Sequence, residues 1–325
     1  MVLLLTRKDV ISVLHMKECI DAMEKAFSEL ANGTAVLPLR INIKPPAGLS
    51  LYMPAYLQGM NALACKVVTV YKDNPAKHNL PTTIGKVLLQ NPETGEVISI
   101  MDGGYLTALR TGAASGLATK YLARKDEEQV AGIFGAGIQA QTQLWAVCEV
   151  RKISKALVYD VSHEAAKKFA AEMSQKLGVP VIAVEKPDAL MTADIICTAT
   201  SSATPIFDGS KVKEGTHING IGSHSPGARE LDGTIIKRAL LIADSREACL
   251  NEAGDIMIPI KEGIISADHI HAELGEVVTG KKPGRMSPKQ ITLFKSNGLA
   301  IQDVAAARLV YERAKAKGIG TEVDL

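Results

Sequence analysis

Apolar positions along the chain change their period more than once. In MKECIDAMEKAFSELANG, Ile20, Met23, Phe27 and Leu30 recur at three- and four-residue intervals, which predicts a helix with one buried stripe, ended by Gly33. Ahead of it Thr6 and Asp9 stand at capping-box spacing before Val10, Val13 and Leu14, predicting a shorter first helix. Between residues 37 and 101 the texture shifts to short runs broken by turn residues: LPLRINIK, LSLYMPAYL, ALACKVVTVY, TTIGKVLLQ and VISIM. NPETG separates the last two as a hairpin turn, and the set predicts an antiparallel sheet. The segment DGGYLTALRTGAASGLATKYLARKD then predicts a helix whose many small residues allow close packing against backbone or ligand.

Farther on, strand-like runs that are apolar throughout (QVAGIF, KALVYDV, PVIAV, ADIICTAT, THINGIG, ALLIADS) alternate with helical stretches such as HEAAKKFAAEMSQKLG. Parallel strands covered on both faces read this way, so the second part of the chain is α/β with a doubly wound sheet. The closing segment, ITLFKSNGLAIQDVAAARLVYERAKAKGIG, predicts a strand ending near Ile291 and Phe294 and a turn at Asn297 and Gly298. A helix with an Ile301, Val304, Ala305, Leu309, Val310 stripe follows and returns to the N-terminal region.

The first α/β step carries chemistry. QVAGIFGAGIQA reads as strand, tight turn, helix, with Gly135, Gly137 and Ala140 at the G-x-G-x-x-A spacing around Ile138 and Gln139. Gly135 permits the turn, Gly137 has no side chain to hold phosphates away, and Ala140 allows close helix–strand contact. The helix N-terminus faces the anion. The next strand ends in Asp160, 25 residues after Gly135. A carboxylate there accepts from ribose hydroxyls and repels a 2′-phosphate, which argues for NAD over NADP; its bland alternative is a cap on the following turn. Ligands of such sheets lie at the carboxyl ends of strands, which puts TATS (Thr198, Ala199, Thr200, Ser201) and GSHSP (Gly222, Ser223, His224 and on) at the crevice. Either loop could be an ordinary polar connection. His224 is a candidate acid/base or substrate contact, or a loop histidine facing water.

Three basic residues stand in apolar surroundings. Arg40 and Lys66 sit in strand-like runs with no local counter-charge, so each either meets a partner or reaches solvent. Arg110, on the small-residue helix, can pair bidentately with a carboxylate or make a surface salt bridge. His269, His271 and Glu273 resemble a metal cluster, but on a helix such spacing divides the faces, so a polar helix surface without metal is the reading.

Composition narrows the classes. With 325 residues, 46% hydrophobic and 22% charged, the chain can bury a large core in two domains. A net charge of +2 with no basic run among aromatics gives no case for nucleic acid or an anionic membrane. Five cysteines without C-x-x-C spacing fit thiols in a reducing cytosol, and the apolar start of MVLLLTRKDV is too short for a signal peptide or a membrane span, so the cytoplasm is the expected location.

Taken together, MPAYL, the Lys66 strand, NPETGEVISIMDG, LRTGAASGLATKYLAR, FGAGIQA, EGTHINGIGSHSPGARELD, HAELGEVVTG and FKSNGLAIQD resemble the ornithine cyclodeaminase/μ-crystallin family, which includes archaeal-type alanine dehydrogenases. The resemblance implies a Rossmann-type dinucleotide domain over residues 118–300. It implies an α+β substrate-binding and dimerisation domain from residues 1–117 and 301–325, hence a homodimer. It makes Lys66 the catalytic lysine, Arg40 and Arg110 the grip on a substrate carboxylate, and Thr111 a pyrophosphate contact at a helix start. It sets TATS, the run Ile221, Gly222, Ser223, and the turn Ser296, Gly298, Leu299 around the nicotinamide half. The family's cyclodeaminases carry an Asp in the loop after GIG and a Glu in the strand before the lysine; Ser223, His224 and LSLYMP offer neither, and a second substrate amine would be buried without counter-charge. Its NADPH-dependent ketimine reductases tend to have a neutral or basic residue where Asp160 stands. The expectation is an NAD-dependent L-amino-acid dehydrogenase or imine reductase, alanine first, with a small amino or oxo acid as partner. Pyrroline-2-carboxylate reduction, ornithine cyclodeamination and a non-catalytic crystallin-like binding role are the alternatives.

Overall fold

The computed structural model describes residues 1–223 and 225–324. In chain order the first stretch runs β1 (Val2–Leu5), α1 (Arg7–Val13), α2 (Met16–Asn32), β2 (Ala35–Val36), β3 (Ile41–Ile43), β4 (Leu49–Leu57), β5 (Ala62–Val70), α3 (Asn74–His78), β6 (Thr83–Gln90), β7 (Val97–Asp102) and α4 (Gly103–Leu122). The chain continues with β8 (Gln129–Phe134), α5 (Ile138–Val150), β9 (Ile153–Tyr159), α6 (His163–Leu177), β10 (Val181–Ala183), β11 (Ile195–Thr198) and β12 (His217–Gly220). It closes with α7 (Gly233–Arg238), β13 (Leu240–Ala243), α8 (Arg246–Glu252), α9 (Gly254–Lys261), β14 (Ile270–Glu273), α10 (Leu274–Val278), β15 (Thr292–Lys295), α11 (Ala300–Lys317) and β16 (Thr321–Val323). Two compact units result: Met1–Thr111 with the chain from Leu299 on, and Gly112–Gly298.

The first unit is built on a sheet ordered β16-β1-β7-β6-β5-β4-β2, with β3 also on β4. Its hairpins are antiparallel, but β1 lies parallel to β7, so the sheet is mixed where a purely antiparallel one is expected. The apolar VLLL start is the cause, since it is buried as a strand. The capping box at Thr6 and Asp9 is formed, and α2 buries Ile20, Met23 and Phe27 before Gly33 ends it in the left-handed region, while Leu30 is only half-buried. LPLR forms no strand: Pro38 lacks an N–H and constrains Leu37, so Arg40 precedes β3 in irregular backbone rather than lying within a strand. On β5 burial alternates, with Ala62, Ala64, Lys66 and Val68 on the covered face. The helix α11 packs across α2 and the β4, β5, β6 ladder.

The second unit is a sheet ordered β10-β9-β8-β11-β12-β15-β13-β14, parallel at every pairing. Strand order reverses between β8 and β11, the switch point at which doubly wound sheets bind ligands. Buried Ile, Leu, Phe and Ala on both faces supply the core, which is why these strands read as unbroken apolar runs. The HAEL segment is a strand, not a helix: β14 adds a parallel edge against β13. That removes the helical argument against a metal there. The groups instead turn to separate partners, His269 to the Ile236 carbonyl, His271 to the Pro283 carbonyl and Glu273 to the Arg246 N–H. Thr111 lies in the middle of α4 and not at a helix start, its hydroxyl donating to the Thr107 carbonyl. All five cysteines are free, and among the described residues no helix is long and apolar enough to cross a membrane.

Candidate functional site

In the first unit a lysine is buried on the core side of a strand. Antiparallel pairing sets Lys66 opposite Met53 of β4 and Val87 of β6, both buried. Residues opposite each other share a face, so the ammonium stands in an apolar row. Lys66 is 1% exposed, and its Nζ lies 2.7 Å from Asp303 Oδ2 on α11. The other Asp303 oxygen accepts from Arg110 Nε at 2.9 Å, while Arg110 Nη1 donates to Gln302 Oε1. One carboxylate thus bridges two buried cations. Burial is the largest influence on Lys66; with the positive charges of Arg110 and Arg40 it outweighs the pull of Asp303 and brings the ammonium from 10.5 down to about 7. The alternatives of a solvent-reaching Lys66 and of a surface salt bridge at Arg110 therefore fail, since both side chains are buried. Arg40, half-buried, acts on Lys66 through its charge.

In the second unit a cleft of about 620 Å³ is lined by residues 134–139, 159–161 and 199–202 with Ile206. Gly135 takes φ +97°, and a Cβ there would stand 2.7 Å from the Ala199 carbonyl oxygen, so the turn requires glycine twice over. Gly137 is the N-cap of α5 with no side-chain cap, and a Cβ on it would meet nothing within 4 Å. Open space over uncapped N–H groups fits a pyrophosphate. Ala140 is fully buried behind the turn, and Ile138 and Gln139 open α5 at the cleft. Asp160 does hold its own turn, accepting from Ser162 N, but it also accepts from Ala136 N in the glycine turn. Each carboxylate oxygen has taken one donor and keeps lone-pair capacity for a ribose hydroxyl. Val161 beside it is 95% exposed, an apolar surface suited to a flat ring.

The ends of neighbouring strands are fixed by buried carboxylates. Asp244 Oδ2, just past β13, accepts from Ser296 Oγ, Asn297 N and Gly298 N, which shapes the turn that Gly298 makes at φ +81°. Glu230, fully buried, serves the loops after β11 and β12. Ser223 is buried and donates to the Ala228 carbonyl, and Ile221 lies at the surface's edge with 9% exposure. Leu299, in the first unit, donates its N–H to Gln302 Oε1. His224 lies outside the described residues.

The structure gathers Lys66 and Arg110 around Asp303, with Arg40 near enough to be felt electrostatically, and gathers Gly135, Gly137, Ile138, Gln139, Asp160, Ala199, Thr200 and Ser201 around one cleft. Thr198 is buried behind that cleft. Asp303, Gln302, Asp244 and Glu230 were not legible as functional. Asp303 carried a signal, being an acidic residue in an otherwise apolar, Ala-rich run, VAAA following IQD, where a solvated charge is not expected.

The family model described as "Ornithine cyclodeaminase/mu-crystallin family" matches residues 2–318. An alanine dehydrogenase of Archaeoglobus fulgidus is 41% identical over 321 residues, 99% of this chain and 98% of that protein. The structure of Thermococcus litoralis Δ1-pyrroline-2-carboxylate reductase in complex with NADH and L-proline is 52% identical, with a TM-score of 0.95 over 99% of this chain and 100% of the other. An archaeal alanine dehydrogenase dimer with bound NAD is 40% identical, with a TM-score of 0.94 over 100% and 99% of the two chains.

Proposed function

The chain belongs to the ornithine cyclodeaminase/mu-crystallin family, and we propose that it interconverts a small, uncharged L-amino acid and its imino or 2-oxo acid with NAD(H). It is an oxidoreductase of the CH–NH2 or C=N class. The observation that carries the reading is Lys66, an amine held at about 7 by burial and by two guanidinium groups. Such a group exchanges protons near neutrality, where an ordinary lysine does not.

Each residue's task follows from its surroundings. Asp303 and Gln302 fix Arg110, and the N–H groups they leave unused, together with Arg40, would hold the substrate carboxylate. A carboxylate gripped by two cations cannot rotate its α-carbon away, and alignment is a large share of the rate gain. Gly135, Gly137 and the first turn of α5 would take the pyrophosphate, Asp160 the adenosine ribose, and the loops at 198–201, 221–223 and 296–299 the remainder. Bound in that way, the nicotinamide supplies a hydride acceptor or donor for the substrate's α-carbon. Oxidation leaves an imino acid. If the imine is acyclic, water adds at the α-carbon as neutral Lys66 takes its proton, and collapse of that adduct releases ammonia and the 2-oxo acid. If it is cyclic, no water need add, and in reverse the Lys66 ammonium protonates the ring nitrogen.

Alanine is the first substrate of this proposal. Proline and pyrroline-2-carboxylate form the second, favoured by the 52% identity to a structure that holds NADH and L-proline. Ornithine is disfavoured: buried Met53, directly across from Lys66, offers a second amine no counter-charge. We further propose that residues 1–117 and 301–325 serve substrate binding and dimerisation, that residues 118–300 bind the dinucleotide, and that the protein works as a cytoplasmic homodimer. Val36, Leu39, Ile41 and Ile43 stand more than half exposed along the β2–β3 segment, an apolar face that supports self-association.

The test is a screen of L-alanine, L-proline and L-ornithine with NAD, and of pyruvate plus ammonia and pyrroline-2-carboxylate with NADH and NADPH, followed at the nicotinamide absorbance. Turnover of the alanine or proline pair with NAD(H) is expected, with ornithine inert. No turnover of any pair, or turnover that survives Lys66→Ala unchanged, removes the enzymatic reading in favour of a binding protein.

A further inference from the structure

Glu230 lies in irregular backbone before α7, touches no solvent and is absent from the cleft lining, yet its carboxylate accepts four hydrogen bonds at the strand ends. Oε1 accepts from the Thr200 N–H and from the Thr200 hydroxyl, each at 2.6 Å. Oε2 accepts from the Thr198 hydroxyl at 2.8 Å and from the Gly222 N–H at 2.7 Å. One carboxylate therefore joins the end of β11 to the end of β12. Gly222 can approach so closely only because it has no Cβ, which would collide with the Glu230 carboxyl group.

Glu230 is itself anchored. Its N–H and that of Leu231 donate to Asp255 Oδ1, at 2.8 and 3.0 Å, and Asp255 Oδ2 lies 3.1 Å from Lys295 Nζ. Lys295, fully buried at the end of β15, donates in turn to the Gly220 carbonyl. A buried ionic cluster of this kind is a weak source of stability, since apolar side chains of equal volume do as well or better. What it does supply is fixed geometry, because four donors converge on one anion.

Topology says which end of a dinucleotide that geometry serves. In the strand order β9-β8-β11-β12, Asp160 follows β9 on one side of the glycine turn, and the strand ends that Glu230 joins lie on the other. The loop it grips abuts the turn, for Ala199 donates its N–H to the Phe134 carbonyl and its carbonyl oxygen closes over Gly135. We infer that Glu230 is a positioning residue for the nicotinamide half of the cofactor, holding the ends of β11 and β12 at one separation so that the wall beyond the glycine turn is formed before the ring arrives. This rests on the dinucleotide reading above.

Binding, not turnover, tests it. Titration calorimetry of the wild-type chain and of Glu230→Gln with NADH and with ADP, which lacks the nicotinamide riboside, separates the two halves. The amide keeps the shape but presents an N–H2 to donors, and losing such charge-assisted bonds corresponds to roughly a 10-fold or larger loss in affinity. The expected result is ADP affinity within about twofold of wild type and NADH affinity weakened about 10-fold or more. Equal weakening of both ligands would mean a general structural role and overturns the inference, as does no change in either. A wild-type chain that fails to bind NADH overturns the dinucleotide reading itself. Should Glu230→Gln not fold, Thr198→Val removes one buried donor at constant volume, and the same asymmetry is expected at about threefold; its absence counts against the inference equally.

Discussion

Lys66 shows how one side chain acquires a chemistry that its residue type does not have in water. An exposed lysine at neutral pH is a spectator, whereas an amine near 7 is about evenly divided between acid and base. The direction of its pH effect is fixed by which form each half-reaction uses. Amino-acid oxidation with release of the oxo acid needs the neutral amine, so its kcat/KM should rise as pH increases through about 7 and then level. Imine reduction needs the ammonium and should fall over the same range. Lys66→Met should lower turnover by about 100-fold or more and abolish the inflection, both read from pH-rate profiles. A profile unchanged in shape by the substitution would remove Lys66 from proton transfer. The sequence offered a partial view of this site: the alternation Ala62, Ala64, Lys66, Val68 sets the lysine among core positions. Asp303, 237 residues later in the chain, carries no local mark that it belongs to Lys66.

Among elements, α4 is the clearest case of composition set by neighbours. Its run of Ala, Gly, Ser and Thr predicts close packing, and at Gly112 the contact is with backbone: an added Cβ would lie 2.5 Å from the Thr142 carbonyl oxygen of α5. Backbone cannot swing aside as a long side chain can. Gly112→Val should therefore destabilise the fold by about 1–3 kcal/mol, measured as a lower denaturant midpoint with the slope unchanged. A wild-type midpoint would show that α4 and α5 can separate without cost. The glycine turn was readable because its demands are local, a positive φ at Gly135 and an uncapped helix start at Gly137. Two segments, one missed and one misread, are those whose state depends on distant pairing. VLLL becomes a strand by meeting β7 and β16, and IHAE becomes one by meeting β13. Segments of four residues carry too little periodicity to choose for themselves.

For the molecule as a whole, the outstanding surface is the β2–β3 segment. Ile41 and Ile43 are 58% and 51% exposed, and among the described residues β3 is paired on one side only, to β4. A half-paired apolar strand invites a second chain. Light scattering after gel filtration should find a dimer, and Ile41→Lys with Ile43→Lys should give a monomer that still binds NADH; a variant that stays dimeric would place the interface elsewhere. Sequence by itself determined the α/β alternation of the second unit, the glycine turn with Asp160 after it, and the basic residues that could act, because each rests on chain-local rules of period, backbone freedom and charge. Only the tertiary structure decided that Asp303 bridges Lys66 and Arg110, that Asp244 and Glu230 fix the strand ends, and that burial brings the lysine towards neutrality. Desolvation and pairing depend on groups from distant parts of the chain, and no local pattern encodes which of them will meet.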